Sequence, residues 1–333
     1  MKIEDLSYIL PLKWGAEGGV EEVTTYLRWL STRCDVIVVD GSAPEVYSRH
    51  AGSWGAIVKH VPPDADLSFA MGKVNGVITG IRCAATDHVI IADDDVRYDD
   101  ESLQRVRRAL DDAELVRPQN YFDPLPWHAA WDTSRTLLNR SFRADYPGTL
   151  GLRRDFFMEL GGTYDGDCMF ENLELMRTIE AAGGRVASPL DIYIRRIPPD
   201  ANHFWSQRVR QAYDDLAQPA RLGTFLALLP MLAAVRSGNR TRALGAMVTA
   251  SISLAEIGRR RAGGAEFFPG YTSLLAPLWI AERAVCSWLA VASRLLRGGI
   301  PYGGGMVPKA ANSPRELRRR VGRPHRERSP LGT

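Results

Sequence analysis

The sequence is poor in cysteine and lacks a long uninterrupted apolar run. Four cysteines occur in 333 residues, and none stands in a CxxC or other metal-ligand spacing, which argues against zinc and redox centres. The opening residues MKIEDLSYIL contain two acids and no apolar core, so they do not predict a secretory signal. We therefore expect a chain that begins in the reducing cytoplasm, with cysteines that serve as small core residues.

Charge is distributed unevenly along a chain of otherwise ordinary composition. Hydrophobic residues make up 45% and charged residues 24% of the sequence, which is typical of a globular protein. Residues 201–333 contain 20 Lys and Arg against 7 Asp and Glu, a net charge of +13, whereas residues 1–200 contain 22 against 32, a net charge of −10. An acidic front and a basic back predict two regions with different partners, metal ions for the first and phosphates for the second.

Short apolar runs alternate with helical periodicity in the front half of the chain. The patterns predict strands and helices in alternation: strands 7–12, 35–42, 56–61 and 88–96, and helices 21–30, 73–85, 102–113 and 169–184. This order predicts an α/β fold, a mostly parallel sheet with helices on both faces. In such sheets the ligand site lies beyond the carboxyl ends of the strands.

The most informative motif is the strand VIIADDDV, which ends in three acids. Asp93 and Asp95 form an Asp-x-Asp pair at the rim of the predicted sheet, and such carboxylates are hard oxygen ligands for Mg²⁺ or Mn²⁺. A metal ion bound there would neutralise the charge that develops on a diphosphate leaving group. The alternative is a solvated acidic turn.

Two further residues suit nucleotide binding. Asp40 ends the strand DVIVVD before a Gly-Ser turn, where an acid can bind a base or ribose or, alternatively, cap a helix. Lys73 stands near the start of a helix that is rich in small residues, and it could reach a phosphate or, alternatively, lie on the surface.

Together these motifs resemble those of the family 2 glycosyltransferases: Asp-Gly-Ser after the second strand, a Gly-Lys helix start, and a strand ending in Asp-x-Asp-Val. The resemblance covers roughly residues 5–215 of this chain, and it is to the bacterial-type members of the family. It implies a GT-A fold, which is Rossmann-like, and inverting transfer from a UDP-linked or similar sugar. It also implies that Asp93 and Asp95 hold a metal and the diphosphate, with nucleotide-sugar contacts at Pro11, Asp40, Gly41, Lys73, Asp94, Arg208 and Arg210.

The catalytic base of the family is the Asp of a Glu-Asp pair on a helix after a Gly-rich loop. Here the pair is Glu171-Asn172, and an amide cannot accept the proton of an acceptor hydroxyl. By the resemblance, Glu171 takes this role, or one of the loop acids Asp165 and Asp167 does. The structural alternative for Glu171 is a charge that favours the start of a helix.

A fourth landmark, Gln-x-x-Arg-Trp, is matched only by Gln207-Arg208-Val209-Arg210-Gln211. The tryptophan is missing, which argues against processive polymer synthesis. Arg208 and Arg210 could still neutralise a diphosphate, or they could lie on a solvated helix face.

The sequence after residue 218 becomes apolar and basic. Its apolar segments are 222–235, 243–257 and 273–296; the first two are shorter than the about 20 residues that span a bilayer, and the third contains Glu282 and Arg283. The loop after the first segment carries three arginines, which opposes a spanning hairpin. We therefore predict short helices that lie in the cytoplasmic leaflet of the cell membrane.

The composition thus predicts three regions: a catalytic domain over 1–218, a membrane-associating helical region over 219–300, and a basic, disordered tail over 301–333. The tail has seven arginines between Arg315 and Arg328, which would contact anionic headgroups. The alternative is a soluble helical domain with a disordered basic end. No basic motif interleaved with aromatics indicates nucleic acid.

The predicted function is transfer of a sugar, of the hexosyl type, from a nucleotide-diphosphate sugar to a lipid or small hydroxylated acceptor of the cell envelope. The alternative is a non-catalytic nucleotide-sugar-binding or scaffold protein, which Asn172 favours. A phosphoryl-transfer hydrolase with an aspartyl nucleophile also carries Asp-x-Asp after a strand. Its motif normally opens the fold, however, and here three strands precede it.

Overall fold

The computed structural model describes residues 2–15 and 19–321. Its strands, in chain order, are β1 (Leu6–Leu12), β2 (Asp35–Asp40), β3 (Lys59–Val61), β4 (His88–Ala92), β5 (Val96–Arg97), β6 (Leu115–Val116), β7 (Gln119–Phe122), β8 (Thr149–Arg153), β9 (Val186–Ala187), β10 (Tyr193–Arg196), β11 (Ile300–Tyr302) and β12 (Gly305–Val307).

The α-helices alternate with these strands in the front half and dominate the back half. In chain order they are α1 (Val20–Ser31), α2 (Pro44–Trp54), α3 (Gly72–Cys83), α4 (Asp100–Ala109), α5 (Trp127–Phe142), α6 (Arg154–Glu159), α7 (Glu171–Ala181), α8 (Ala201–Ser206), α9 (Arg208–Tyr213), α10 (Pro219–Ala234), α11 (Ser237–Arg260), α12 (Tyr271–Leu274), α13 (Ala276–Arg297) and α14 (Pro314–Val321). The segment Asp214–Ala217 adds a 3₁₀ turn directly after α9.

The main sheet has the strand order β3-β2-β1-β4-β8-β6-β9. Strands β1 to β4 run parallel, with Ile9 opposite both Ile37 and Ile91, whereas β8 is antiparallel to β4 and to β6. The predicted α/β architecture with a mostly parallel sheet is therefore confirmed. A smaller sheet, β5-β10-β7, lies beyond the carboxyl end of β4 and brings the end of β10 toward the Asp cluster.

Helices cover both faces of this sheet, as the alternation along β1 demonstrates. Ile9 belongs to a core that includes residues of α3 and α7, whereas Tyr8 and Leu10 belong to a second core that includes residues of α1 and α4. A strand buried on both faces has to be apolar throughout, which explains the continuous apolar run in this segment.

Helix α3 approaches β1 closely because glycines occupy the positions where the helix meets the strand. A Cβ atom at Gly76 would lie 2.9 Å from Pro11 Cβ, and one at Gly80 would lie 2.3 Å from Ile9 Cγ2. The glycines thus set the distance between helix and sheet and hold the start of α3, with Lys73, at the edge of β1 and β4.

The back half consists of helices that pack on the front half rather than apart from it. Residues Leu137 and Leu138 of α5 share a third core with Ala255 of α11 and Trp279 of α13. None of the described helices combines the length and the apolarity needed to cross a bilayer.

The predicted disordered tail differs from the structure over 301–321. This segment forms the antiparallel hairpin β11–β12 and helix α14, in which Leu317 is buried and Arg320 pairs with Asp165. This segment is ordered by contacts with Asp165 in the Gly-rich loop before α7, which pairs with Lys309 and Arg320. Such contacts join distant parts of the chain, so composition does not reveal them. The remaining tail residues, 322–333, lie outside the described part of the chain.

We expect Gly80→Ala to lower the free energy of unfolding by roughly 1–3 kcal/mol, because the added methyl group overlaps a buried isoleucine in a filled core. Gly52→Ala is the matched control: its Cβ meets nothing within 4 Å, and removing a helical glycine should raise stability by about 0.5–1 kcal/mol. Urea unfolding of both variants measures the difference. Equal stabilities would contradict this account of the α3–β1 contact.

Candidate active site

A charged cavity lies at the carboxyl ends of β4 and β10. Its acids come from β4, α7 and the turn after α9: Asp93, Glu171, Asp214 and Asp215. Its bases come from α3, α5, β10, α9, α10 and α13: Lys73, Arg135, Arg196, Arg210, Arg221 and Arg283. The site therefore offers cationic and acidic groups side by side, as a polyanionic ligand with a cation would require.

Lys73 connects two of the predicted acids. Its Nζ lies 2.5 Å from Asp93 Oδ1 and 2.9 Å from Glu171 Oε1, and the three side chains are between 13% and 22% exposed. Burial would lower the pKa of Lys73, but the two carboxylates outweigh it and hold that pKa above its usual value. The lysine is therefore fully charged at neutral pH.

Arg196 joins the two carboxylates of the Asp-x-Asp motif. Its Nε donates to Asp95 Oδ2 at 2.9 Å, and its Nη2 lies 3.4 Å from Asp93 Oδ2, so the two acids converge rather than point apart. Burial raises the pKa of Asp95, whose Oδ1 is buried and has no hydrogen-bond partner among the described residues. Converging carboxylates with an unpartnered oxygen fit a hard divalent cation such as Mg²⁺ or Mn²⁺.

Asp94 has a structural partner next to this site. Trp14 donates from Nε1 to Asp94 Oδ2 at 2.5 Å, and the Trp14 backbone N–H donates to Ser42 Oγ at 2.8 Å. The tryptophan therefore ties together the loops that follow β1, β2 and β4.

Asp40 differs from its predicted role, because its carboxylate is completely enclosed. Oδ1 accepts from the Ser42 backbone N–H at 2.9 Å, and Oδ2 lies 2.6 Å from His50 Nδ1 and 3.1 Å from His60 Nε2. Burial would raise the pKa of Asp40, but the hydrogen bonds from His60, Ser42 and His50 hold it below its usual range. Asp40 thus has no free oxygen for a base or ribose and instead fixes the turn that contains Gly41.

Of the three acids predicted as catalytic, Glu171 alone lines the cavity among the described residues. Asp165 is bound by Asn312 and Lys309 from the C-terminal segment, and Asp167 accepts a hydrogen bond from the Ala70 backbone N–H. Burial would raise the pKa of Asp165, but these donors lower it to about 2, which makes it a poor proton acceptor.

The two predicted arginines have different environments. Arg208 is 2% exposed and donates to Asp132 and to both oxygens of Glu282, so it belongs to a buried ion-pair network outside the cavity. Arg210 lines the cavity, with its guanidinium 5.3 Å from the centre of the Tyr302 ring, and it has no ion-pair partner within the described residues. Arg210 is thus free to bind an anion.

Sequence reasoning missed the two residues that complete the site, Arg196 and Asp214. Arg196 ends a strand in the segment YIRRIPPD, and Asp214 follows Arg210 by four residues. A charged residue at the end of a strand is a usable indication for the first. The position of Asp214 depends on how α9 packs on α13, which no local pattern indicates.

Comparison with protein-family models and with curated proteins gives no match. Among solved structures, a mannosyltransferase from Pyrobaculum calidifontis, in complex with GDP-Man and Mn²⁺, is 19% identical, with 85% of this chain and 87% of that chain covered and a TM-score of 0.49. Residues 1–349 of TarS from S. aureus, in complex with UDP-GlcNAc, are 13% identical, with 92% and 96% covered and a TM-score of 0.43. A mycobacterial protein is 16% identical, with 62% and 72% covered and a TM-score of 0.41.

We expect Arg208→Met to lower the free energy of unfolding by about 3–5 kcal/mol, because it leaves Asp132 and Glu282 buried without their cation. The neighbouring change Arg210→Met removes the same charge from a residue without an ion pair and should cost about 1 kcal/mol or less. Urea unfolding at neutral pH compares the two variants. A larger loss for Arg210→Met would contradict this division of roles.

Proposed function

We propose that this chain is an inverting glycosyltransferase that moves a sugar from a nucleotide-diphosphate sugar to a lipid or small hydroxylated acceptor. The observation that carries the proposal is the convergence of Asp93, Asp95, Lys73 and Arg196 at the carboxyl ends of β4 and β10. Paired carboxylates beside paired cations match the requirements of a diphosphate and its metal ion.

In this proposal the basic residues of the cavity bind the donor's diphosphate. Arg210 has no ion-pair partner among the described residues, and Arg283 Nη1 is a buried donor without an acceptor there. A phosphate oxygen would satisfy both groups, since guanidinium groups form charge-assisted hydrogen bonds with phosphates.

Asp93 and Asp95 would hold the divalent ion, Mg²⁺ or Mn²⁺. When bound, such an ion would neutralise the negative charge that develops on the departing diphosphate. Arg196 already contacts both carboxylates, and it is positioned to hold them together while the donor binds.

The alternative, a nucleotide-sugar-binding protein without catalytic activity, is favoured by Asn172. This residue lines the cavity at the position of the family's base, and its Nδ2 donates to the Pro147 carbonyl oxygen at 3.2 Å. One measurement separates the two functions. A glycosyltransferase and a binding protein both bind the donor, but only the glycosyltransferase releases the nucleotide diphosphate from it.

We expect a nucleoside diphosphate to raise the melting temperature of the wild type more with Mn²⁺ than without it, because ligand binding stabilises the native state by mass action. Asp95→Asn should lose the Mn²⁺-dependent part of that shift and reduce nucleotide release from the matching nucleotide-sugar by about 100-fold. A panel of uridine, guanosine and other diphosphates identifies the donor's base.

The exposed Asp112→Asn is the matched control, and it should keep both the shift and the turnover. Full turnover in Asp95→Asn would rule out the metal site. Binding without any nucleotide release in the wild type would favour the non-catalytic alternative.

A second proposal concerns location: the helical back half lies on the cytoplasmic face of the cell membrane. Helix α13 directs charged residues toward the protein instead of toward solvent. Glu282 and Arg283 face inward and pair with Arg208 and Asp215. Its outward side is apolar over several turns, with the following residues about half exposed or more: Leu278, Val285, Trp288, Leu289, Leu295 and Leu296. An exposed apolar stripe of this length is unfavourable in water and suits the acyl boundary of a bilayer.

Neighbouring charges favour a lipid surface over a protein partner. Arg294 and Arg297 are exposed beside Leu295 and Leu296, and helix α10 adds an apolar segment of which no residue is buried. Apolar residues flanked by arginines are typical of helices that bind anionic membranes.

We expect the double variant Leu295→Glu, Leu296→Glu to reduce cosedimentation with anionic phosphatidylglycerol vesicles by at least about tenfold, since it removes apolar contact and adds repulsive charge. Both residues are at least 77% exposed, so the fold should tolerate the change. The control is Thr25→Glu, Ser53→Glu, which adds the same charge at exposed positions of α1 and α2. Equal binding of both double variants would exclude α13 as the contact.

A further inference from the structure

Asp214 is an acid of the cavity to which the proposed donor site gives no role. It begins the 3₁₀ turn Asp214–Ala217 after α9, and it lines the same cavity as Asp93 and Glu171. Its Oδ1 is buried and accepts no hydrogen bond within the described part of the chain. A buried carboxylate oxygen without a donor is costly, and such costs are typical of functional groups.

The neighbours of Asp214 increase its affinity for a proton. Burial is the largest cause, and the negative charges of Glu171 on α7 and of the adjacent Asp215 add to it. Arg210 on α9 and Arg283 on α13 act in the opposite direction. Together these groups raise the pKa of Asp214 to about 8. Four further cations line the same cavity, from α3, α5, β10 and α10: Lys73, Arg135, Arg196 and Arg221.

The other acids of the cavity are already bound by cations. Glu171 Oε1 and Asp93 Oδ1 share Lys73, and Asp215 is held by Arg283 at 2.8 Å and by Arg221 at 3.0 Å. A carboxylate that is paired with a cation is a weaker proton acceptor than a free one. Asp214 has no ion-pair partner within 4.0 Å among the described residues.

We infer that Asp214, rather than Glu171, accepts the proton of the acceptor hydroxyl in the proposed transfer. The acceptor oxygen forms a bond to the anomeric carbon as its O–H proton passes to the Asp214 carboxylate. The bond between that carbon and the diphosphate oxygen breaks, and its electron pair leaves with the nucleotide diphosphate. The proton then leaves Asp214 for solvent, which returns the carboxylate. This inference rests on the proposed transferase function.

Glu171 acts as a positioning residue in this scheme. Its charge is the first among the charged neighbours that raise the proton affinity of Asp214, and its ion pair keeps Lys73 at the site. A base with a pKa near neutrality combines sufficient ionisation with a strong pull on the proton, and it accelerates transfer by about 10²–10⁴-fold.

The test is Asp214→Asn, an isosteric change. We expect turnover, measured as nucleotide release in the presence of acceptor, to fall by about 10²–10⁴-fold. Binding of the nucleoside diphosphate with Mn²⁺ should change by less than about threefold, since Asp214 is not a donor ligand in this proposal. Formate added to Asp214→Gly should restore part of the lost rate by supplying a small carboxylate to the vacated space.

The pH profile separates a base from a structural residue. The wild-type kcat/KM should rise with pH as Asp214 ionises, and this ascending limb should be missing from the residual activity of Asp214→Asn. Glu171→Gln should keep the limb but shift it to lower pH, because removing a negative neighbour lowers the proton affinity of Asp214. Asp112→Asn, at an exposed position, should behave as the wild type.

Stability supplies an independent check on folding. Because the folded pKa of Asp214 lies above the value of about 4 in unfolded chains, its ionisation costs stability as pH rises between these values. Asp214→Asn should therefore be at least as stable as the wild type at pH 8, as thermal unfolding would reveal.

Near wild-type turnover in Asp214→Asn, or loss of the ascending limb in Glu171→Gln alone, would overturn this assignment and leave the transferase proposal intact. If the wild type released no nucleotide from any donor that it binds, the proposed transferase function would be wrong, and this inference would fail with it.

Discussion

The ammonium group of Lys73 is the interaction on which the site depends. Its two partners come from distant parts of the chain, Asp93 at the end of β4 and Glu171 at the start of α7. Two carboxylates this close to one point would repel each other strongly in a partly buried environment. The shared cation removes that repulsion and thereby joins three elements, the sheet and helices α3 and α7, at the edge that carries the cavity.

The position of Lys73 follows in turn from the glycines of α3. Gly76 and Gly80 let the helix lie directly on β1, with no room for a Cβ atom at either position. A wider spacing would move Lys73 away from the acids of β4 and α7. The glycines have no functional side chain, yet their packing fixes the position of the positive charge of Lys73 in the cavity.

Sequence patterns predicted the elements that are regular and locally encoded. The strand before Asp93 was recognisable because it is apolar on both faces, and α3 because of its spacing. Helix α2 was missed, since the segment PEVYSRHAGSW contains few apolar residues and packs mainly through Val46, His50 and Trp54. The predicted strand 56–61 is shorter in the structure, Lys59–Val61, because the turn that ends α2 occupies its first residues.

Partners of charged residues were beyond the reach of sequence patterns. Asp40 was predicted from its place after β2, but its enclosure by His50 and His60 depends on α2 and β3 folding over it. Arg208 and Arg210 are two residues apart and were indistinguishable in sequence. The structure separates them, because residues two apart on an α-helix lie about 200° apart around its axis, so Arg208 faces the buried network and Arg210 faces the cavity.

The amide at position 172 is consistent with a base that lies elsewhere. Asn172 donates to the Pro147 carbonyl, and the next residue, Gly148, accepts from the Asp93 backbone N–H at 2.8 Å. A Cβ atom at Gly148 would lie 2.6 Å from Asp93 Oδ2, so this loop lies directly against the Asp-x-Asp motif. A carboxylate at position 172 would face a carbonyl oxygen with no proton to offer and would loosen the loop. Asn172 therefore supports Asp93 through this loop, which agrees with the inference that Asp214, on another element, accepts the proton.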